Sequence, residues 1–536
     1  MPVPLRLRLF KGLLASLLIA GPALAGPVAA AEVLELRFDG LELPVNLEQL
    51  DGWTRSPTGR SGGGDLAVWL DLLDPRSRQD LKILLRAPLL RDTSFGQQLL
   101  DSWAGSQMMA RLGDLLTTAD GRSTTAVLQT TLRRLLESRQ DVSTIGLLRA
   151  LPVQRLSLQL DGLYELAVQW RQQIDLQRQA LRRLQALALP ERRTVPLAFA
   201  DRTPLRPRRL GLAVGHRQQP LPLEVWPAPP TPAAATGRGS PTPQRPWLLM
   251  MPGLGGNADQ FGWLASELAE RGWPVVVVQH PGSDGPALKA ALDGQRPPPG
   301  AETLAIRLAD VEAVLAAQRR GELPVRGHGV VLLGHSMGAL SALLAAGVVP
   351  EAGLAERCRK ALDRLPIANP SRLLQCQLPS TELPKRPSPP ADLRGLVLLN
   401  SFGSLLWPRR GLASLGLPVL MVGGSLDLVT PPLEEQLRLF LQGSDPRSRL
   451  VMVEGGSHFS PVRLMPTDEV LFRLDDELVG VDPARVQSAL LRLTTEYLQT
   501  LEQPLLLPAQ RRVQQGVTLD VLDAAAARRW KAGLQP

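Results

Sequence analysis

The sequence predicts an α/β fold, a mostly parallel and doubly wound sheet, preceded by a mainly α-helical N-terminal domain. Three observations predict it. After Pro190, short apolar runs alternate with helix-length segments; before it, apolar residues recur at helical spacing. Between an apolar run and a small-residue helix stands the pentapeptide Gly334-His335-Ser336-Met337-Gly338. With 536 residues, 44% apolar and 21% charged, the chain can bury more than one core and is neither disordered nor fibrous.

Residues 1–31 read as an export signal: Arg6, Arg8 and Lys11 precede an apolar stretch at 13–20, and small-residue cleavage sites follow at 23–25 and 29–31. Residues 32–160 form the helical domain. It opens with an alternating strand or hairpin edge around Asp39-Gly40, and Asp74-Pro75 then caps a helix through Arg86. Further periodic segments lie near 97–112, 124–138 and 142–150. A long helix follows Asp161 and makes 161–190 a connector: Leu163, Leu166, Trp170, Ile174, Leu181 and Leu184 share one face, with Arg178, Arg182 and Arg183 near its C-terminus.

The sheet domain spans 191–501, with strands expected at 194–200, 210–214, 221–226, 247–251, 274–279, 330–333, 396–400, 418–423 and 449–454. Two excursions interrupt it. Residues 227–245 are Pro-rich and cannot form a core, and 349–392 is too long for a simple βα connection and resembles a cap. A closing helix is expected at 482–501, and 502–536 reads as a tail with a short helix.

A Ser between glycines, directly after a strand and before a helix, is a nucleophile elbow. Gly59-Arg60-Ser61-Gly62-Gly63 fits the same pattern but has no strand ahead of it, so Ser61 reads as an ordinary loop serine. A serine hydroxyl needs an imidazole to take its proton and a carboxylate to hold the imidazole's tautomer. Asp427 and His458 each follow an expected strand, which gives Ser336, Asp427 and His458 in the order such a site requires. Two amides must hold the developing oxyanion: Met337 after the nucleophile, and Leu254 in the Pro252-Gly253-Leu254-Gly255-Gly256 loop. That loop lacks the Lys and Ser or Thr of a phosphate-binding loop. His280 reads as a structural loop histidine, and His335 as a filler of the elbow.

Five His and two Cys without paired spacing argue against a metal, and no cofactor motif is present. The formal charge of +9 comes largely from Arg scattered along the chain, so no nucleic-acid partner is expected. Cys358 and Cys376 both lie in the 349–392 excursion, and in an exported chain they are expected to form a disulfide.

These residues resemble the alpha/beta-hydrolase superfamily, more closely its dienelactone-hydrolase-like group, which is related to platelet-activating-factor acetylhydrolases. The matching pieces are Pro252 to Gly256, Asp259-Gln260-Phe261, His280-Pro281-Gly282-Ser283, the elbow, Asp427 and His458. Residues 32–160 look like the domain of unknown function that precedes the catalytic domain in a chiefly cyanobacterial branch of exported hydrolases. The chain departs from the group in three places: Ser336 replaces a Cys nucleophile, Pro252 stands where many relatives have His, and Asn400 occupies the place of the acetylhydrolase acid. The resemblance implies an alpha/beta-hydrolase fold. Together with the triad it implies an exported serine hydrolase that cleaves a small-molecule or lipid ester through an acyl-enzyme. Periplasm, medium and thylakoid lumen all suit the leader, and the helical domain suits contact with an envelope or membrane surface. A weakly catalytic lipid-binding module of this fold, or an acyltransferase using the same triad, is the alternative.

Overall fold

The computed structural model describes residues 30–56, 66, 70, 73–90, 93–138, 142–197, 205–229, 245–363, 368–381, 389–464, 480–503 and 505–534. Residues 1–29 of the expected export signal, Ser61 and residues 230–244 of the Pro-rich excursion lie outside these. The chain divides into two compact units.

The first unit comprises Met1–Leu89, Gly113–Leu135 and Val142–Leu160. Strands β1 (Val33–Phe38) and β2 (Leu41–Asn46) form the expected hairpin, turning at Asp39 and Gly40 with φ of 48° and 77°. Two three-residue or shorter strands, β3 (Pro88–Leu90) and β5 (Val142–Ser143), pair with each other. Strands β4 (Leu116–Thr118) and β6 (Arg155–Gln159) extend the hairpin into a sheet of order β2-β1-β6-β4. Helices surround this sheet as expected, but the sheet itself goes beyond the helical pattern. Its added strands have three and five residues, too short for their alternation to show against helical neighbours. The helix Pro75–Arg86 begins as its sequence requires: Asp74 accepts from the amides of Arg76 at 2.9 Å and Ser77 at 3.0 Å. Leu34, Leu47, Leu50, Trp53, Leu128 and Leu156 build the core.

The second unit comprises Leu90–Leu112, Leu136–Asp141 and Asp161–Pro536. It therefore takes residues expected in the N-terminal domain. Trp103 shows why: it packs on the cluster of Cys358, Leu362 and Cys376. Those two cysteines form the expected disulfide, with Cα atoms 5.2 Å apart, and join the helices Leu354–Ala361 and Ser371–Gln377 of the excursion.

Among the described residues the sheet of this unit has eleven strands: β7 (Glu191–Arg193), β8 (Arg208–Leu212), β9 (Leu221–Trp226), β10 (Trp247–Met251), β11 (Val275–Val278), β12 (Val330–His335), β13 (Leu393–Leu399), β14 (Val419–Gly424), β15 (Arg449–Val453), β16 (Gln510–Gln514) and β17 (Val517–Leu522). Their order is β7-β16-β17-β15-β14-β13-β12-β10-β11-β9-β8. The six from β15 to β11 in that order run parallel. β10 is flanked by β11 on one side and β12 on the other, so the chain order reverses there and leaves a crevice at the strands' carboxyl ends.

The period of two divides the core. Trp247, Leu249 and Met251 face one layer with Leu332, Met337 and Leu340, whereas Leu248 and Met250 face the other with Leu264, Leu268, Leu490 and Tyr497. The long helix Leu160–Gln185 is present, and its Ala180 and Leu184 cover the first layer.

Two expectations are corrected at the sheet's edge. Residues 502–536 are not a tail: β16 and β17 form a hairpin that pairs with β15, followed by the helix Ala524–Ala532. The strand expected at 194–200 falls at Glu191–Arg193 and pairs with β16. Charged residues hid both. Arg511, Arg512 and Asp520 interrupt the apolar signal, and their places are explained only by cross-strand partners such as Arg511 Nε to Asp520 Oδ1 at 2.8 Å.

Candidate active site

Ser336 lies between β12 and the helix Met337–Ala345 with φ 53° and ψ −118°, a conformation that a residue with a Cβ adopts only under strain. Its amide donates to the Leu399 carbonyl at 2.9 Å, and its own carbonyl accepts from Ala339 at 2.9 Å and Leu340 at 3.1 Å. The flanking glycines are sterically required. A Cβ on Gly334 would lie 2.3 Å from the Gly338 carbonyl, and one on Gly338 would lie 2.0 Å from the Met251 carbonyl oxygen. Gly338→Ala is therefore expected to cost about 3 kcal/mol or more in denaturant unfolding, because backbone on both sides must shift. Gly52→Ala is the control: a Cβ there meets nothing within 4 Å, so stability should hold or rise slightly.

Asp427 follows β14 and is fully buried. Its Oδ1 accepts from the amides of Val429 at 2.9 Å and Thr430 at 2.8 Å. Its Oδ2 accepts from Asn400 Nδ2 at 2.5 Å and Thr430 Oγ1 at 2.6 Å, and lies 3.0 Å from His458 Nδ1. Burial would raise this carboxyl, but His458 and the Thr430 donors outweigh it and hold it below the ordinary carboxylate value. His458 follows β15 in the loop that also holds Gly456, and a Cβ on Gly424 would lie 2.2 Å from the Gly456 carbonyl oxygen. The acid and histidine loops are thus packed directly together.

His335 does more than fill the elbow. Its Nε2 donates to the His458 carbonyl at 2.8 Å, and the two rings lie 4.9 Å apart. Burial, with His458 nearby, pushes the His335 imidazole down to about 3, so it stays neutral with its proton on the donating nitrogen. The residue next to Ser336 therefore anchors the backbone of the loop that holds His458.

The Pro252 to Gly256 segment borders Ser336: a Cβ on Gly253 would come within 3.3 Å of Ser336 Cβ. The Gly256 amide closes a turn onto the Gly253 carbonyl at 3.3 Å, and Gly255 takes the φ of +72° that this turn needs. Met337 is the first residue of the elbow helix and is fully buried. The structure thus brings Asp427 and His458 into contact, sets His335 against His458, and lays Gly253 against Ser336. His280 is structural: it is buried with Nδ1 2.8 Å from Asp310 Oδ2.

The supporting roles of two residues escaped the sequence. Asn400 ends β13 with φ 49° and donates to Asp427. Thr430 bridges Asp427 and the Asn400 carbonyl, and is itself held by Gln436 from a π-helical turn at Leu433–Leu437. The available signal for Asn400 was a polar residue, tolerant of positive φ, closing a wholly apolar strand.

Sheet, switch point and elbow define an alpha/beta-hydrolase fold. Residues 248–471 match the model described as alpha/beta hydrolase family. Residues 30–159 match one described as alpha/beta hydrolase of unknown function (DUF1400). Among solved structures, ferulic acid esterase from Streptomyces cinnamoneus is similar at 18% identity and a TM-score of 0.39, over 61% of this chain and 99% of that one. No curated protein matches the chain.

Proposed function

We propose that the protein is an exported serine hydrolase that cleaves carboxylic esters through an acyl-enzyme on Ser336. The observation that supports this is the His458–Asp427 pair, with Nδ1 3.0 Å from Oδ2, together with a strained elbow serine whose neighbour His335 bonds the His458 carbonyl. Ser336 Oγ bonds to the ester carbon as its proton passes to His458 Nε2, and the carbonyl π pair moves onto oxygen. The Leu254 and Met337 amides receive that oxyanion. Collapse breaks the bond to the alcohol, which takes the proton from His458. Water then repeats the sequence and releases the acid. Asp427 holds the proton on His458 Nδ1, leaving Nε2 free to accept.

The leader and the Cys358–Cys376 disulfide support export, since such bonds persist in oxidising compartments. The narrower likeness to dienelactone-hydrolase-like enzymes and acetylhydrolases rests on the loop and elbow residues, and it favours an ester or lactone without a metal or cofactor. Hydrolysis of aryl esters from acetyl to palmitoyl tests this function. Turnover at one or more chain lengths is expected, and the preferred length reports whether the site suits small esters or lipids. Absence of turnover across the series overturns it.

A further inference from the structure

Arg307 lies on the helix Leu304–Arg319, which packs its apolar side against the sheet through Leu304, Leu308 and Val311. A charged residue on that inward face is costly unless its donors are used. Arg307 is fully buried; its Nη2 donates to the carbonyls of Pro252 at 2.7 Å and Gly253 at 3.1 Å, while its Nε and Nη1 meet no acceptor among the described residues. Burial pushes the guanidinium down to about 9, with Asp310 and Asp284 opposing that shift, so it remains a cation at neutral pH. The ion pairs around it belong to Asp310. That carboxylate is held by Arg217 through contacts of 2.6 Å and lies 2.8 Å from both His216 and His280, which leaves Arg307 for the loop.

The geometry of one peptide unit gives this contact a consequence. The Gly253 carbonyl and the Leu254 N–H belong to the same planar, trans peptide, so they point in opposite directions. Two donors, Arg307 Nη2 and the Gly256 amide, fix the carbonyl on one side. The N–H is thereby fixed on the other, in a segment that borders Ser336, where a Cβ on Gly253 would come within 3.3 Å of the serine Cβ. Among the described residues the Leu254 amide is given to no protein acceptor.

We propose that Arg307 is the positioning residue of the oxyanion hole: by gripping the Pro252 and Gly253 carbonyls it holds the Gly253–Leu254 peptide with its N–H toward the oxygen of the substrate carbonyl. This rests on the acyl-enzyme function proposed above. It assigns no contact between Arg307 and substrate; the arginine acts through Leu254. A preorganised donor matters because its orientation costs nothing at the moment charge develops.

The test compares the full chain with Arg307→Met, which keeps volume without donors, and Arg307→Lys, which keeps one charge and reaches fewer carbonyls. Aryl-ester kinetics are paired with inhibition by an alkyl trifluoromethyl ketone, which adds to the serine as an oxyanion, and with thermal midpoints. For Arg307→Met, kcat is expected to fall on the order of 100-fold with KM little changed, as for loss of one oxyanion donor. Ketone affinity should fall by a similar factor, and Arg307→Lys should recover part of both. A general structural defect would not move ketone affinity and kcat together at constant KM. If the Met variant fails to fold, the Lys variant decides: parallel loss of kcat and ketone affinity at a wild-type thermal midpoint supports the proposal, and wild-type values for both overturn it. An active parent whose folded Arg307 variants keep kcat and ketone affinity overturns this inference alone. An inactive parent overturns the acyl-enzyme function and this inference with it.

Discussion

Ser336→Ala is expected to lower ester turnover by about six orders of magnitude and to abolish covalent labelling by a fluorophosphonate. The expected loss is this large because the three residues of the proposed triad would act as a unit. Without the hydroxyl, the His458–Asp427 pair has no proton to take, and only the oxyanion donors and substrate binding remain. The substitution removes one oxygen from a site that is 8% exposed and leaves the elbow's glycines in place, so folding should be preserved. Ser61→Ala supplies the contrast: its sequence has no apolar run ahead of the glycines, so the variant should label at full strength. Full labelling of Ser336→Ala would sink the assignment, as would its loss in Ser61→Ala.

Asp427→Asn should lower kcat by about four orders of magnitude while leaving the fold intact. The reason lies in the donors around the carboxylate. The amides of Val429 and Thr430 demand an acceptor at one end of the side chain, so an Asn would keep its oxygen there. Its NH2 would then face Asn400 Nδ2, Thr430 Oγ1 and His458 Nδ1, three groups that now share an acceptor. The threonine hydroxyl can rotate, but the histidine must give up its Nδ1 proton. The proton then sits on Nε2, where it prevents the imidazole from accepting from Ser336. Nitrogen-15 spectra of His458 would show the change of tautomer; an unchanged tautomer with unchanged kcat would remove Asp427 from the mechanism.

The same carboxylate sets a pH signature for stability. Its folded value lies below the ordinary one, so it binds fewer protons in the folded chain than in the unfolded chain. Its contribution is present above about pH 4, the ordinary aspartate value, and is lost as pH falls through the lower folded value. The stability difference between the parent and Asp427→Asn should therefore narrow on acidification. A difference that stays constant between neutral pH and pH 3 would contradict the depressed value.

The candidate residues Ser336, Asp427 and His458 were legible because each carries a local mark. Ser336 has its flanking glycines, and Asp427 and His458 follow apolar runs that end in glycines. Supporting residues carry no such mark, since their partners are distant in the chain: Asn400 meets Asp427 27 residues on, and Arg307 meets Gly253 54 residues back. Arg307 and Asp310 did interrupt an otherwise apolar helix face, a sign of a buried polar network without any indication of its target.

By itself, the sequence determined the parallel sheet's strands and the elbow and marked Asp427, His458 and the cysteine pair as candidates, because period, turn chemistry and residue type act over a few neighbouring residues. Only the tertiary structure decided that β16 and β17 complete the sheet, that Trp103 packs on the disulfide, and that Asn400, Thr430, His335 and Arg307 surround the site. Those outcomes depend on which strands become neighbours and which buried donors meet an acceptor. Such pairings are settled by packing across the whole domain.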